Sequence, residues 1–431
     1  MEIVLVLLCF YISLNRRDNM EELLAGFTSI SYLNVIMYLI GLVLIVLAIK
    51  KNYEPMLLLP IGFGAILVNL PQSIVKYSSI SSTADPYVTN LIQQNPSLKD
   101  IFEKSFVFDK LGNAYHYEPG FLEILYQSGI LTELFPILIF IGIGAMIDFT
   151  PLFKNPIMIF FGAAAQFGIF ATMLVALALN FDLKTASAIG IIGAADGPTA
   201  IYVANKFTKE FLAPISVAAY SYMSLVPIIQ PPVVKLLTSK KERMIRMEYK
   251  EEKVSKVVLI GFPIAVTLIA GIVAPISAPL VGSLMFGNLI RVSGVLERLS
   301  QAAQNELSNL VTLLLGITIG STMLAEDFLK KETLLILAMG LVAFVFDTAG
   351  GVLFAKFLNL FRKKDNKFNP MIGAAGISAF PMSARVIQKM AQKEDPTNFV
   401  LMQAVSANVS GQLGSIVAGG LILALVPMLV R

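Results

Sequence analysis

One acidic residue lies inside an apolar run in the stretch Gly193–Tyr202, which reads GAADGPTAIY. Asp196 is followed directly by Gly197 and Pro198, two residue types that weaken a membrane helix. A charge at mid-membrane costs at least ~2.5–3.5 kcal/mol, and a broken helix leaves backbone groups that need partners. A carboxylate beside free carbonyl oxygens can surround a hard cation such as Na⁺, or it can accept a proton. The alternative is an aspartate that only caps a helix.

A second polar stretch, Asn369–Met390, reads NPMIGAAGISAFPMSARVIQKM. Asn369, Ser378 and Ser383 supply oxygen atoms inside it, and Arg385 supplies a fixed positive charge close to a membrane boundary. Because arginine can bind a carboxylate through two parallel hydrogen bonds, Arg385 could hold an acidic group of a substrate. An ordinary arginine at the cytoplasmic end of a helix is the alternative.

Polar residues also interrupt two other apolar segments and one long helix. Ser406–Ser415, SANVSGQLGS, contains Asn408, Ser410, Gln412 and Ser415, which often serve only to hold helices together. Ala218–Pro232 contains Tyr220 and Tyr222, and a tyrosine near Asp196 could relay a proton, although tyrosines at the membrane interface are commoner. Asp347, in FVFDTAGG, is a second intramembrane acid, and a structural role is as plausible for it as a functional one.

The elements that position these residues follow from composition. The chain has 431 residues, of which 56% are hydrophobic and 14% charged, whereas soluble domains have about 25% charged residues. Apolar runs of bilayer length recur, which predicts an all-α polytopic membrane protein with about nine to eleven transmembrane helices in the lipid bilayer. Two of the runs, Ala186–Ala204 and Pro370–Ile387, are interrupted by glycine and proline.

Several function classes are excluded or disfavoured. Cys9 and His116 are the only residues of their types, which excludes disulfides and thiolate metal clusters and argues against a zinc site or a Ser/His centre. No GxxxxGK[ST] motif occurs, so a P-loop is absent. The net charge of +4 arises mainly in loops, so no nucleic-acid partner is expected.

Charge predicts the topology. Thr238–Lys256 and Phe361–Lys367 are rich in Lys and Arg and should be cytoplasmic, whereas Lys76–Ile130 has few basic residues for its length and should be external. If both interrupted segments crossed the membrane completely, the number of crossings would place a basic loop on the external side, against the charge rule. This conflict disappears if the two segments are re-entrant or discontinuous. Lys206 and Lys209 then lie on the external side of the membrane.

The two interrupted segments resemble each other. AIGIIGAADGPTA and MIGAAGISAFPMS share the pattern I-G-x-x-G-x-x-x-x-P, and the charge argument gives them opposite orientations. Inverted-topology repeats with two discontinuous segments meeting near the midplane are typical of transporters; chance similarity between Gly/Ala-rich segments is the alternative. The predicted parts are an N-terminal extension 1–31, N-terminal helices and an external loop 32–130, a first inverted repeat 131–237, a basic cytoplasmic loop with connecting helices 238–308, and a second inverted repeat 309–431.

Taken in order, these motifs resemble the β subunit of biotin-dependent, sodium-translocating decarboxylases. The resemblance extends from about Met20 to the C-terminus, and residues 1–19 have no clear counterpart. It is carried by the following stretches: Tyr53–Pro71, Thr132–Phe153, Gly162–Phe170, Gly193–Tyr202, Ala218–Pro232, Asn369–Met390 and Ser406–Gly420.

The resemblance implies a pump in the cell (inner, cytoplasmic) membrane. In such a complex a carboxyltransferase α subunit moves CO₂ from oxaloacetate, methylmalonyl-CoA, glutaconyl-CoA or malonate to biotin on a carrier protein. The β subunit, expected as a homotrimer with a small γ or δ membrane subunit, then decarboxylates carboxybiotin, consumes a proton and exports Na⁺. The biotin is presented by the partner and is not attached to this chain.

The resemblance also implies roles for individual residues. It assigns Na⁺ coordination to Asp196 and Asn408, with Ser378 beside them, and ion or proton handling to Tyr222, Asn369 and Gly373. Arg385 is expected to meet carboxybiotin, and Gly197 and Pro198 support the break at Asp196.

A bound Na⁺ can be released from a carboxylate if a proton replaces it, so our hypothesis is that Asp196 exchanges Na⁺ for H⁺. The alternative function is a stand-alone secondary Na⁺/H⁺ or carboxylate antiporter, which would use the same repeats. A purely structural scaffold would leave Asp196, Arg385 and Asn408 without purpose.

Overall fold

The computed structural model describes residues 30–51, 53–71, 77–80, 83–95, 106–108, 112–247, 254–363 and 366–430. Nearly all of the predicted N-terminal extension 1–31, including Cys9, lies outside these residues. The same holds for Lys250, Lys253 and Lys364 of the two basic loops.

Helices dominate the described residues. Up to the basic loop they are α1 (Tyr32–Lys51), α2 (Pro55–Val68), α3 (Pro86–Gln94), α4 (Phe121–Leu125), α5 (Leu134–Met146), α6 (Thr150–Lys154), α7 (Met158–Ala165), α8 (Phe167–Ala178), α9 (Leu183–Gly190), α10 (Gly197–Phe207), α11 (Leu212–Ser224) and α12 (Val226–Leu237). From the basic loop onward they are α13 (Lys240–Arg243), α14 (Lys256–Val273), α15 (Ala278–Ser293), α16 (Glu297–Ala302), α17 (Ser308–Ser321), α18 (Ala325–Phe328), α19 (Lys331–Leu360), α20 (Met371–Ala374), α21 (Met382–Glu394) and α22 (Leu401–Leu429).

Short 3₁₀ and π segments extend several helices, and a small sheet is present in the predicted external loop. The 3₁₀ and π segments are Tyr126–Leu131, Ile191–Ala194, Lys209–Phe211, Pro275–Ser277 and Ala303–Leu307. The strands are β1 (Tyr77–Ile80), β2 (Phe106–Phe108) and β3 (Ala114–Pro119). They pair antiparallel in the order β1-β3-β2, which adds a small β element to an otherwise helical chain.

The predicted all-α polytopic membrane class is confirmed. Among the described residues, 6 helical stretches are long and apolar enough to cross a membrane, and up to 8 if each bent pair counts as one span. Nine to eleven spans were predicted, and part of the difference lies in apolar helices that are too short, such as the 14 residues of α2.

One apolar run of bilayer length is sharply bent. The run Pro214–Leu237 forms α11 and α12, which meet at Leu225 with a bend of 69°. Pro227 lies in the first turn of α12, and a proline at this place has no N–H to continue the hydrogen bonding of the preceding helix.

Both segments that were predicted to be broken are discontinuous. In the first, α9 passes into the 3₁₀ turn Ile191–Ala194, and Ala195 has left-handed dihedral angles, with φ 54°, before α10 begins. In the second, α20 ends at Ala374 and no helix resumes until Met382. We call the residues 195–196 and 375–381 the first and second break.

The two half-helices that follow the breaks run in opposite directions. Helix α19 has 30 residues and is about 45 Å long, so its two ends mark two sides of the molecule. The chain that leaves α10 reaches the start of α19, because Lys209 lines the same cavity as Asp327 and Lys330. Helix α21 instead ends at Glu394, beside the basic loop that contacts the last turns of α19. The opposed directions agree with inverted-topology repeats; the five predicted part boundaries stay predictions.

The basic loop is anchored by ion pairs. Arg243 Nε lies 2.7 Å from Glu394 Oε1, and Arg246 Nη2 lies 2.7 Å from Asp395 Oδ2. Hydrogen bonds from Thr397 and then from Arg246 lower the pKa of the Asp395 carboxyl. The described part of the loop therefore lies beside the C-terminal end of α21, the helix that carries Lys389 and Lys393.

Close helix packing at α19 gives a testable prediction. A Cβ atom on Gly351 would lie 2.0 Å from the carbonyl oxygen of Gly373. Because a backbone oxygen cannot move aside easily, we expect Gly351→Ala to cost about 1–3 kcal/mol of stability, which a thermal unfolding curve in detergent would show. Gly261→Ala is the matched control, since nothing lies within 4 Å of its added Cβ. Equal unfolding temperatures for the two variants would contradict the packing.

Candidate functional site

Asp196 forms the N-cap of α10 and is only 3% exposed. The carboxylate accepts a hydrogen bond from Thr199 Oγ1 at 2.8 Å and a long one from the Thr199 amide at 3.4 Å. The capping role that the sequence offered as an alternative is thus present. Two further donors show that capping is only part of the environment.

Helix α22 supplies these two donors. Gln412 Nε2 and Ser415 Oγ lie 3.1 Å and 2.8 Å from Asp196 Oδ2. Three of the four hydrogen bonds therefore reach Oδ2, and Oδ1 receives only the long amide bond. Among the described residues, no cationic side chain pairs with Asp196. A buried carboxylate without a positive partner costs several kcal/mol, so the geometry suits a cation or a proton there.

The second break meets the first at this point. The Ser378 amide donates to the Ala194 carbonyl at 3.0 Å, one residue before the first break. Ser378 Oγ donates to the Gly411 carbonyl at 3.1 Å, and Asn408 Nδ2 donates to the Ile377 carbonyl at 2.7 Å. One polar face of α22 therefore touches both breaks, because Asn408, Gln412 and Ser415 follow the i, i+4, i+7 spacing.

Two buried oxygen atoms beside the breaks have no hydrogen-bond partner. They are Asn408 Oδ1 and Tyr220 Oη. The Tyr220 ring packs flat against Gly197, where an added Cβ would lie 2.3 Å from its Cζ. Most buried polar atoms in proteins are paired, so unpaired oxygens on α11 and α22, two helices that contact the first broken segment, fit an oxygen-coordinated ion. We call Asp196, Thr199, Tyr220, Asn408, Gln412 and Ser415 the ion site.

The second break is held by a residue that the sequence analysis did not single out. Gln230 Nε2, on α12, donates to the Ala374 carbonyl at 2.7 Å and to Ser383 Oγ at 2.8 Å. The Ser383 hydroxyl, at the beginning of α21, is thereby bonded to Gln230 and to the Ala374 carbonyl, and these bonds hold the two ends of the second break together. Thr199, whose hydroxyl donates to the Asp196 carboxylate from three residues later, was also missed.

Three residues with predicted ion or proton roles lie in other surroundings. The Tyr222 hydroxyl donates to the Leu337 carbonyl on α19. Asn369 Nδ2 donates to the carbonyls of Arg243 and Ile245 in the basic loop, at 2.8 Å and 2.9 Å. Gly373 packs on Gly351, as described above. Their predicted roles stay predictions, but their contacts are those of structural residues.

Arg385 lies in the first turn of α21, shortly after the second break. It lines a cavity of about 490 Å³, whose other charged residues are Glu54, Lys235, Lys389, Lys393 and Glu394. We call this cavity the basic cleft. Burial raises the pKa of Glu54, and the nearby Arg385 charge partly opposes this shift. Four cations face two acids, so the cleft suits an anion.

A model of the family described as the Na⁺-transporting oxaloacetate decarboxylase beta subunit matches residues 33–426. The chain belongs to this family. It is 46% identical over 409 residues to oxaloacetate decarboxylase beta chain 2 of Salmonella typhi, covering 90% of this chain and 94% of that protein. It is 47% identical to the methylmalonyl-CoA decarboxylase subunit beta of Propionigenium modestum and 45% identical to the glutaconyl-CoA decarboxylase subunit beta of Acidaminococcus fermentans. Each of these two matches covers 93% of this chain and 96% of the relative.

Membership confirms the resemblance and the predicted class of function. The protein is a membrane β subunit of the sodium-pumping decarboxylase family, and the antiporter alternative finds no support among these relatives. A β subunit of a decarboxylase complex acts with partner subunits, so the prediction that this chain has partners is confirmed.

The two tyrosines of α11 give a paired prediction about this β subunit. Tyr220→Phe removes a hydroxyl without a partner, so we expect stability to be unchanged or slightly higher. Tyr222→Phe removes a bond to a carbonyl and should cost about 1 kcal/mol. Thermal unfolding of both variants in detergent measures the difference. A larger loss for Tyr220→Phe would mean that its hydroxyl is bonded within the folded chain.

Proposed function

We propose that this β subunit decarboxylates carboxybiotin, presented by a biotin carrier protein, and uses the reaction to export Na⁺ across the cell (inner, cytoplasmic) membrane while a proton is consumed. The observation that carries the proposal is the buried Asp196 carboxylate, which has no cationic partner among the described residues and lies where two broken helices meet. Membership of a family described as Na⁺-transporting supports the same function.

The ion site offers Na⁺ several kinds of oxygen. Asp196 provides charge, and Asn408 Oδ1 provides a neutral oxygen that has no other partner. The hydroxyls of Thr199 and Ser415, which now donate to Asp196, can rotate and present lone pairs to a cation. Ser378, on the second break, is the further ligand that we propose. Protonation of Asp196 removes the charge that holds Na⁺ and releases the ion.

The basic cleft is the proposed site for carboxybiotin. The Arg385 guanidinium can bind the carboxylate through two parallel hydrogen bonds, and Lys389 and Lys393 add positive charge. In the reaction, the bond between the ring nitrogen of biotin and the carboxyl carbon breaks and CO₂ leaves. The electron pair stays on the nitrogen, which takes up one proton. Loss of CO₂ makes the cycle effectively irreversible.

The proposed coupling between cleft and ion site has a short path. Arg385 lies in the first turn of α21, and Gln230 holds the Ser383 hydroxyl in the same turn. The preceding break is bonded to Ala194 through Ser378. A shift at the start of α21 on binding carboxybiotin would therefore be transmitted to the first break and to the Asp196 carboxylate.

The proposed assembly contains the partners that the resemblance implied. These are a carboxyltransferase α subunit, the biotin carrier protein, a small γ or δ membrane subunit and two further copies of this chain in a homotrimer. Helix α14 supports such an arrangement, because only 6% of its apolar span is buried within the chain. That helix must be covered by lipid or by another subunit.

Asp196→Asn tests the ion site. The neutral amide keeps the helix cap but cannot balance Na⁺, so we expect Na⁺-stimulated decarboxylation of free carboxybiotin to fall at least ~100-fold, by about 2.7 kcal/mol or more. Release of CO₂ by purified protein against Na⁺ concentration measures it. Asp182→Asn is the matched control, since Asp182 caps α9 in the same way outside the site. Na⁺-dependent turnover that survives Asp196→Asn would refute the exchange.

Arg385→Lys tests the basic cleft. It keeps the charge but loses the planar pair of donors, so we expect the KM for free carboxybiotin to rise about tenfold, which equals about 1.4 kcal/mol. The Na⁺ concentration at half-maximal rate should stay the same. Arg298→Lys, on the exposed face of α16, is the control. An unchanged KM in Arg385→Lys would remove Arg385 from the binding of carboxybiotin.

A further inference from the structure

A second buried acid lies outside the ion site. Asp347 is near the middle of α19 and is 0% exposed. Its Oδ1 accepts a hydrogen bond from the Ile169 amide at 3.1 Å, at the start of α8. An added Cβ on the neighbouring Gly168 would lie 2.3 Å from the same oxygen. This oxygen therefore caps the first turn of α8 from another helix.

The other carboxyl oxygen is unpaired. Asp347 Oδ2 is buried and has no hydrogen-bond partner, and no cationic side chain among the described residues forms an ion pair with it. Capping alone needs a single acceptor oxygen, which an asparagine provides equally well. An ionised carboxylate in this place lacks any compensating charge. A carboxyl that carries a proton on Oδ2 has no such deficit.

The unpaired oxygen faces the 3₁₀ turn that precedes Asp196. An added Cβ on Gly193 would lie 2.8 Å from Asp347 Oδ2 and 2.9 Å from Ala343 Cβ. Gly193 belongs to the 3₁₀ turn Ile191–Ala194, which ends directly before the first break. The packing is tight, and no ring of oxygen atoms surrounds Oδ2 among the described contacts. The surroundings therefore suit a proton and not a metal ion.

We propose that Asp347 is a second proton-binding carboxyl, whose ionisation is linked to the ion site through the turn Ile191–Ala194. The inference rests on the proposed function, because it gives the pump a proton site distinct from the Na⁺ site. In the arrangement described here Asp347 is neutral. When the 3₁₀ turn moves away from α19, water reaches Oδ2 and the proton leaves. Movement of the first break on Na⁺ binding would therefore change the protonation of Asp347.

The titratable groups that face Asp347 are few. Helices α7, α8 and α20 pack on α19 and contain no titratable side chain. Asp196 follows Gly193 on the first broken segment, and Tyr222 packs on Gly340, two turns from Asp347. The remaining groups on packed elements are Tyr220 on α11, Lys184 on α9, Lys235 on α12, and Glu326 and Asp327 on α18. None of these forms a hydrogen bond or ion pair with Asp347, so a proton is the simplest compensating charge.

Asp347→Asn separates a proton site from a helix cap. The amide oxygen still accepts the Ile169 N–H, so a purely structural Asp347 predicts normal folding and normal turnover. Our proposal predicts normal folding with Na⁺-dependent decarboxylation reduced at least tenfold, and a Na⁺ concentration at half-maximal rate shifted more than twofold, because linkage between two sites is reciprocal. The control is Thr348→Val, which removes the neighbouring buried hydroxyl that also lacks a partner. Thr348→Val should keep the wild-type rate, and Asp347→Asn at the wild-type rate would overturn the proposal.

Infrared difference spectroscopy provides a readout independent of turnover. In Asp196→Asn protein at neutral pH, we expect the C=O stretching band of a protonated carboxyl, and this band should vanish when Asp347→Asn is added. Loss of a carboxylate band upon adding Asp347→Asn would instead show that Asp347 is ionised and would overturn the inference.

The failure of the proposed function and the failure of this inference give different results. Na⁺ dependence that survives Asp196→Asn would refute the proposed function. A dead Asp196→Asn with a fully active Asp347→Asn removes only this inference.

Discussion

A buried carboxylate without a cationic partner is the constraint on which the rest of this structure depends. Asp196 is removed from water and stabilised only by neutral donors from α10 and α22. Neutral hydrogen bonds do not balance a full charge in a medium of low dielectric constant. Such a group is stable when a mobile positive charge shares its site. A protein that must bind an ion and later release it needs this incomplete balance, which a fixed lysine or arginine would abolish.

The broken helices follow from the same constraint. A continuous helix uses its own carbonyl oxygens and amides, so it cannot contribute them to a site in the membrane. The interruptions near Ala195 and Ser378 free backbone groups, and the two breaks satisfy each other through the bond from the Ser378 amide to the Ala194 carbonyl. Close approach of the surrounding helices depends on pairs of small residues, such as Gly351 and Gly373. Backbone bonds and close helix packing therefore hold the two breaks together, and side chains surround Asp196.

The basic cleft and the ion site occupy different parts of one assembly of helices. Arg385 follows the second break and Asp196 belongs to the first, so both residues border the same short junction. Gln230 fixes this junction from α12. Asp347 touches the first broken segment through Gly193. Two buried acids thus border one 3₁₀ turn, and the link that we propose between their protonation states depends on this turn.

Local chemistry made part of this protein predictable. Apolar runs of bilayer length, glycine and proline within them and a lone aspartate are properties of contiguous residues, so the membrane class, both breaks and the position of Asp196 at the first break could be predicted from the sequence. Which side chains surround Asp196 depends on how α10, α11 and α22 pack. Only the tertiary structure could therefore place Tyr220 beside Gly197 with Tyr222 turned to α19, bring Gln412 and Ser415 to Asp196, and join Asn369 to the basic loop. Rotation of a helix by one residue, about 100°, moves a side chain from one neighbour to another, and sequence spacing alone does not fix that rotation.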